Sequence, residues 1–461
     1  MPEPVLIVGA GPAGLSAARF LTEQGCAVMV CEQHASVGGV ARTEVHQGYR
    51  IDVGGHRFLT KVPEVQRLWE ETLRDDFTVV TRQSRILYDR RFFDYPLDLV
   101  NLFRTLELRE LASLAGSYAK TRLTRSAQDD TLERWMIHRF GRRLYETFFR
   151  TYTEKIWGTP CSEISVDWAA QRIRGVSLPV AVVEAVGGRN GAGSLAREFH
   201  YPRLGAGQMW DRFAEIIDAS GSRILLGTRV TKLYHDGHKV RAVDVDNGNV
   251  DAVSVSHVVS SMPIGRLVEQ LEPAAPDSVL EAASRLRHRA FIMVALVLDS
   301  ADVCPDHWLY IHDSQVRVGR IQNFNNWSAD LVPEPDRTSL GLEYFCSVGD
   351  AVWSLSDAEL VDLASRELRA LGLGSDSRIE RGFVVRQGDA YPVYHRDYAT
   401  SLATIRSWLE GFENLQTIGR NGLHRYNNQD HSVLTGLLAA RQVLGERHDV
   451  WTVNMERSYL E

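Results

Sequence analysis

Cysteine is scarce in this chain: five in 461 residues, Cys26, Cys31, Cys161, Cys304 and Cys346. An odd count without a Cys-x-x-Cys pair argues against a disulfide frame and a thiolate zinc site, and for a reducing compartment. No apolar run approaches the roughly 20 residues that a membrane helix needs, so no membrane span is expected. There is no long basic run either. The 52 basic and 59 acidic residues leave a net charge of −7, which argues against a nucleic-acid partner while allowing basic side chains to gather around a small anion. Internal repeats and low-complexity segments are absent. The chain enters a strand-like segment at Val5, which predicts no leader peptide and a cytoplasmic location.

What is present begins with glycine. Val5-Leu6-Ile7-Val8 reads as a short buried strand, followed by Gly9-Ala10-Gly11-Pro12-Ala13-Gly14, a helix-like run from Leu15 to Gln24, and a second strand, Ala27 to Cys31, ending at Glu32. This is the dinucleotide fingerprint in its βαβ setting. Gly9 permits the tight turn, Gly11 admits a pyrophosphate to the backbone, and Gly14 allows close helix–strand packing. The helix N-terminus, opening at Pro12 and Ala13, turns free N–H groups and a positive dipole end toward the phosphates. Glu32, eighteen residues after Gly14, stands where an acid binds ribose hydroxyls. At 461 residues, two or three domains are expected.

Hydrophobic spacing divides the rest. Arg85 to Tyr88 and Arg91 to Tyr95 suggest a hairpin around Asp89-Arg90. A helical pattern runs from Leu99 to about Ala170, with Leu108, Leu111, Leu114 and Tyr118 in register. A glycine-rich loop at Gly187 to Gly193 marks the return. Alternating segments between 288 and 350 read as an antiparallel sheet, and Leu415 to Arg420 as a last strand entering a helix at Ser432 to Leu444. The fold class is therefore α/β: a Rossmann-like nucleotide-binding domain, discontinuous over 1–85, 203–270 and 405–461. It is interrupted by a helical insert at 86–202 and an antiparallel-sheet substrate domain at 271–404. The apolar insert leaves a homo-oligomer open.

Gly38-Gly39-Val40-Ala41-Arg42 and Gly54-Gly55-His56 extend the glycine pattern. They resemble the second glycine motif of the amine-oxidase-like flavoproteins, a resemblance that implies FAD, with Gly38, Gly39 and Arg42 at its phosphates. An NAD-only fold with a flexible loop is the alternative. Four further segments resemble the UDP-galactopyranose mutases. They are Tyr152-Thr153-Glu154-Lys155-Ile156-Trp157, with Arg172 fifteen residues on; Trp308-Leu309-Tyr310, with Arg320 ten residues on; Tyr391-Pro392, with a second such step at Tyr95-Pro96; and Gly419-Arg420 through Tyr426-Asn427-Asn428-Gln429-Asp430-His431-Ser432. Arg57 stands where the mutase pattern carries an apolar residue, and Pro202 to Gly205 matches it loosely.

This resemblance implies a sugar-nucleotide mutase that interconverts the pyranose and furanose forms of an NDP-hexose by attack of reduced flavin N5 on the anomeric carbon. Its implied catalytic residues are Arg320, Arg172, His56 and Trp157. Tyr95, Tyr152, Trp157, Arg172, Tyr310, Arg320, Tyr391 and Tyr426 would contact the substrate. Gly54, Gly55, His56, Gly419, Arg420, Asn428, Gln429, Asp430 and Ser432 would complete the FAD site, and NADPH is a plausible reductant. Guanidinium forks suit a diphosphate leaving group, and Arg420 would favour an anionic reduced flavin.

Plainer readings stand beside these. Arg172 fits a solvated helix face and Arg320 a surface ion pair. Trp157 and Tyr152 fit an aromatic core as well as a cleft. Tyr95 fits a turn anchor, and His56 a loop residue close to backbone with no proton to transfer. Asn428 and Asp430 fit simple capping of the last helix. The chain also resembles the broader protoporphyrinogen-oxidase-like group, so an FAD oxidoreductase acting on a small organic substrate is the competing function.

Overall fold

The computed structural model describes residues 3–95, 99–123, 131–166, 198–246 and 253–455. At its centre is a five-stranded parallel sheet in the order Leu415–Thr417, His257–Ser260, Val5–Val8, Val28–Cys31, Arg223–Leu225. Val5–Val8 is buried along its whole length, as a strand covered on both faces must be, and so reads as an unbroken apolar run. The helix Pro12–Glu23 opens with proline in its first turn, where the missing N–H is no loss. The terminal helix Gln429–Val443 packs directly on it: a Cβ at Gly436 would lie 2.2 Å from the Ala13 carbonyl oxygen. This sheet and its helices thus draw on both ends of the chain and on two strands from its middle.

A four-stranded sheet follows the order Val253–Ser254, Val240–Asp246, Arg229–His235, Leu271–Glu272. The larger seven-stranded sheet runs Ile379–Pro392, His288–Leu298, Thr338–Cys346, Arg320–Asn323, Trp308–Ile311, Ser84–Tyr88, Arg91–Asp94. Strand His288–Leu298 divides its side chains between two cores: Phe291, Met293 and Ala295 face one, and Ile292, Val294 and Leu296 the other. Period-two alternation distributes alternate residues to opposite faces, and here both faces are dry.

The hairpin expected around Asp89-Arg90 forms, with Ile86 paired to Phe93. It belongs, however, to this sheet. Ser84–Tyr88 lies parallel to Trp308–Ile311, so residues 84–94 join the antiparallel-rich sheet instead of dividing between nucleotide domain and helical insert at residue 85. A parallel pairing across more than 200 residues leaves no local signature. The helical pattern after Leu99 resolves into Leu99–Thr105, Leu108–Leu123, Leu132–Phe140 and a π-helical turn, Tyr145–Arg150, running into Thr151–Trp157. The glycine-rich loop at Gly187 to Gly193 lies outside the described residues.

Candidate functional site

The glycine segments come together as backbone on backbone. Gly9 has φ +96°, and a Cβ at Gly14 would sit 1.9 Å from the Gly9 carbonyl oxygen. The second glycine loop closes over the first: a Cβ at Gly39, itself at φ +54°, would lie 3.2 Å from Gly11 Cα. Glu32 is held from two sides. The Ala10 N–H donates to Oε2 at 2.8 Å and the His34 N–H to Oε1 at 2.9 Å. Each oxygen keeps a lone pair for a hydroxyl.

On the opposite wall, Gly419 donates its N–H to Thr435 Oγ1 at 3.0 Å, and Asn428 caps the terminal helix in a reciprocal box with His431. Gln429 is 6% exposed, yet among the described residues neither its amide oxygen nor its nitrogen has a hydrogen-bond partner. A buried amide without partners is costly in an ordinary core and fits a site that receives a polar ligand. Asp430 and Ser432 are buried in the same helical turn. Two helix N-termini, a glycine cradle with no room for a Cβ at Gly9 or Gly14, an anchored acid and an unpartnered amide fit a dinucleotide such as FAD.

Arg42 and His56 are tied to protein groups. Arg42 Nε donates to Glu44 at 2.6 Å, and its Nη1 donates to the Gly39 carbonyl and to Gln387 at 2.9 and 2.6 Å. It therefore braces the second glycine loop. His56 Nε2 lies 2.6 Å from the Val40 carbonyl and 3.0 Å from that of Val53, so the neutral ring donates there. Burial, reinforced by Arg420, pushes its pKa down to about 4. Gly55 lies flat under an indole: a Cβ would meet Trp308 at 2.0 Å.

The expected substrate residues that the structure describes form one connected cluster. Tyr95 stacks on Tyr310 at 4.1 Å, and Tyr310 meets Tyr152 edge-on at 5.8 Å and stacks on Trp308 at 5.7 Å. Arg320 lies 4.9 Å from the Trp308 ring centre and donates from Nη2 to the Tyr391 hydroxyl at 2.9 Å. Tyr391 stacks on Tyr426 at 5.4 Å, and Trp157 lies 6.2 Å from Tyr426. Arg420 sits over both tyrosines, at 5.3 and 4.7 Å, held by the carbonyls of Asn427 and Ala390. Trp157 is 4% exposed, so it is at once core and a member of this cluster. Arg172 lies outside the described residues.

Arg320 differs from a surface ion pair. It is 9% exposed and bonds Glu343, which is 0% exposed, from Nε at 2.7 Å, while Gln322 Nε2 reaches the other carboxylate oxygen at 2.6 Å. Burial pushes the Tyr391 phenol up to about 12 and raises those of Tyr310 and Tyr152 as well, so all three remain protonated donors at neutral pH.

Several members of the site escaped the sequence reading. Glu343 is an acid within the buried strand Thr338–Cys346, and an ionisable residue in an apolar run is a signal that could have found it. Lys155 donates to the carbonyls of Ile311, Asp313 and Val318 at 3.2, 2.8 and 3.0 Å, with its pKa lowered to about 8 by burial. His312 stacks on Tyr152 at 4.5 Å. Arg82 lies beside Tyr95 and carries no local motif that would mark it, whereas Arg57, noted in the sequence as a departure from the mutase pattern, lies beside Trp308.

Among known families, the one described as flavin containing amine oxidoreductase matches residues 12–444. Among solved structures, a reduced UDP-galactopyranose mutase superposes with a TM-score of 0.87 at 21% identity, covering 99% of this chain and 98% of that one. Cyclohexylamine oxidase from Brevibacterium oxydans IH-35A gives 0.64 at 18% identity, covering 96% and 99%. At such identities the likeness is one of fold. A probable UDP-galactopyranose mutase of Klebsiella pneumoniae is 26% identical over 168 residues, which are 35% of this chain and 42% of that protein. The chain spans 18% of the length of one further curated relative and 61% of two others. Among the described residues, no helix is long and apolar enough to cross a membrane.

Proposed function

The chain belongs to the flavin containing amine oxidoreductase family, and within that family we propose that it is a reduced-FAD-dependent mutase of a nucleotide sugar, exchanging pyranose and furanose rings. The observation that carries this reading is the single cluster of Tyr152, Tyr310, Arg320, Tyr391, Tyr426 and Trp157, drawn from four distant segments. When bound in the glycine cradle, reduced FAD supplies the nucleophile, with no net change of oxidation state.

The protein's own task is to hold the substrate and accept the charge of a departing nucleoside diphosphate. Tyr152 offers a ring face to a base. Arg320 supplies positive charge, and the protonated hydroxyls of Tyr310 and Tyr391 donate to the same phosphate oxygens. Arg420, fixed by two backbone carbonyls, keeps a second cation by the Tyr391–Tyr426 pair. NADPH is proposed as the reductant.

One observation favours a second reading, an FAD oxidoreductase of a small organic substrate. Glu343 already balances Arg320, which reduces the charge on offer to a diphosphate. Incubation with UDP-galactopyranose, with and without dithionite, separates the two. An isomeric product formed only after reduction supports the mutase. No isomer across a panel of bases and sugars, with substrate-dependent bleaching of the flavin or peroxide release, replaces it with the oxidoreductase.

A further inference from the structure

Three arginines contact the Tyr95–Tyr310–Trp308 stack, and among the described residues only one of them pairs with a carboxylate. Arg320 has Glu343. Arg57 lies 5.8 Å from the Trp308 ring centre, and Arg82 lies 5.5 Å from that of Tyr95. Both are half-buried. Arg82 donates to the Tyr95 carbonyl, but among the described residues no carboxylate pairs with either side chain. The contrast with Arg85, three residues along the same segment, is sharp: it grips Asp306 through two nitrogens at 2.9 and 2.6 Å. Burial and the neighbouring Arg57 charge both lower the Arg82 pKa. Two partly desolvated cations side by side repel each other unless an anion joins them.

We propose that Arg57 and Arg82 form a second anion-binding locus, which selects a substrate carrying an acidic group, carboxylate or phosphate, beyond its diphosphate. Planar forks over an aromatic stack suit such a group, because ring contacts fix the guanidinium planes while the N–H edges stay available. The two arginines contact Trp308 and Tyr95, whereas Arg320 contacts Trp308 and Tyr391. It rests on the nucleotide-sugar reading above and narrows it to acidic or phosphorylated sugars.

The test is calorimetric titration of the reduced holoprotein with UDP-galactose, its uronic acid analogue and its 6-phosphate. Arg57→Val and Arg82→Gln are compared at equal flavin content, which verifies folding. At least one acidic ligand is expected to bind tenfold or more tightly than UDP-galactose, and that preference is expected to fall below threefold in both variants. The two acidic ligands distinguish carboxylate from phosphate. Equal binding of all three by the native protein, or a preference that survives both substitutions, overturns the proposal. If no nucleotide sugar binds, the mutase reading fails on its own, and inorganic phosphate probes the locus through tryptophan fluorescence. A saturable change lost in Arg57→Val sustains the anion site, and no saturable change removes it. Phosphate that competes with NADP+ and not with a nucleotide sugar assigns the locus to the reductant and overturns the substrate claim.

Discussion

Arg320 has two bonds that pull its role in different directions. Its bond to Tyr391 aims it into the ring cluster, while its bond to Glu343 ties it into a buried ion pair. Removing one partner of such a pair leaves an uncompensated charge and costs about 3–5 kcal/mol. Arg320→Ala is therefore expected to lose both activity and stability, read by turnover and urea unfolding. Arg320→Lys keeps the charge and loses the fork, so turnover should fall at least about tenfold, equivalent to roughly 1.4 kcal/mol, with the flavin retained. Retained turnover in the lysine variant would remove bidentate phosphate contact from the mechanism.

His312 gives a pH prediction at the same scale. Burial, with Lys155 nearby, pushes its pKa from 6.5 down to about 3. Below pH 6.5 the unfolded chain takes up a proton that the folded chain refuses until about pH 3, so stability is lost as the pH falls through that window. At pH 5 this one residue accounts for about 2 kcal/mol. His312→Phe keeps a ring on Tyr152, and its urea midpoint should change less between pH 7 and 5 than that of the native protein.

At the scale of elements, the helix Thr151–Trp157 carries Tyr152 and Trp157 on a short, irregular support entered through a π-helical turn. Lys155 fastens that helix to the loop linking Trp308–Ile311 with Arg320–Asn323, through three carbonyls. Replacing it by methionine strands those acceptors and loosens Tyr152 relative to Tyr310. We expect the KM for the nucleotide sugar to rise on the order of tenfold, roughly 1.4 kcal/mol, without loss of bound flavin; steady-state kinetics on flavin-normalised enzyme checks this. The contact between the first and terminal helices is the second such joint. Gly436→Val drives a side chain into the Ala13 carbonyl, a steric cost of about 1–3 kcal/mol. It should lower flavin content and the urea midpoint together.

For the whole molecule, the cofactor cradle joins segments from both ends of the chain: the first glycine turn, the loop at Gly38-Gly39, and the cap of the terminal helix. A ligand that binds only the assembled cradle stabilises the folded state by mass action. Free FAD at about 100-fold its Kd should stabilise apoprotein by roughly 2.7 kcal/mol. A melting temperature independent of FAD concentration would mean that the cradle does not hold the cofactor.

The sequence by itself determined the parts whose physics is local. Glycine at 9 and 14 between a strand and a helix permits close packing, and the structure has it there, against Ser261 at Gly9 and against the Gly9 carbonyl at Gly14. Apolar strand-like segments mark the strands from 288 to 346, although the structure buries them continuously where alternation was expected, and turn residues mark the hairpin at Asp89-Arg90. What only the tertiary structure decided is pairing between distant segments. Ser84–Tyr88 joins a strand more than 200 residues away, Arg320 finds Glu343 on a neighbouring strand, and Arg57 meets Trp308 across the glycine loop. Hydrophobic spacing fixes which face of an element is buried, but not which element covers it. The charge balance of the cleft depends on that second choice, and so it is legible only once the sheets have closed.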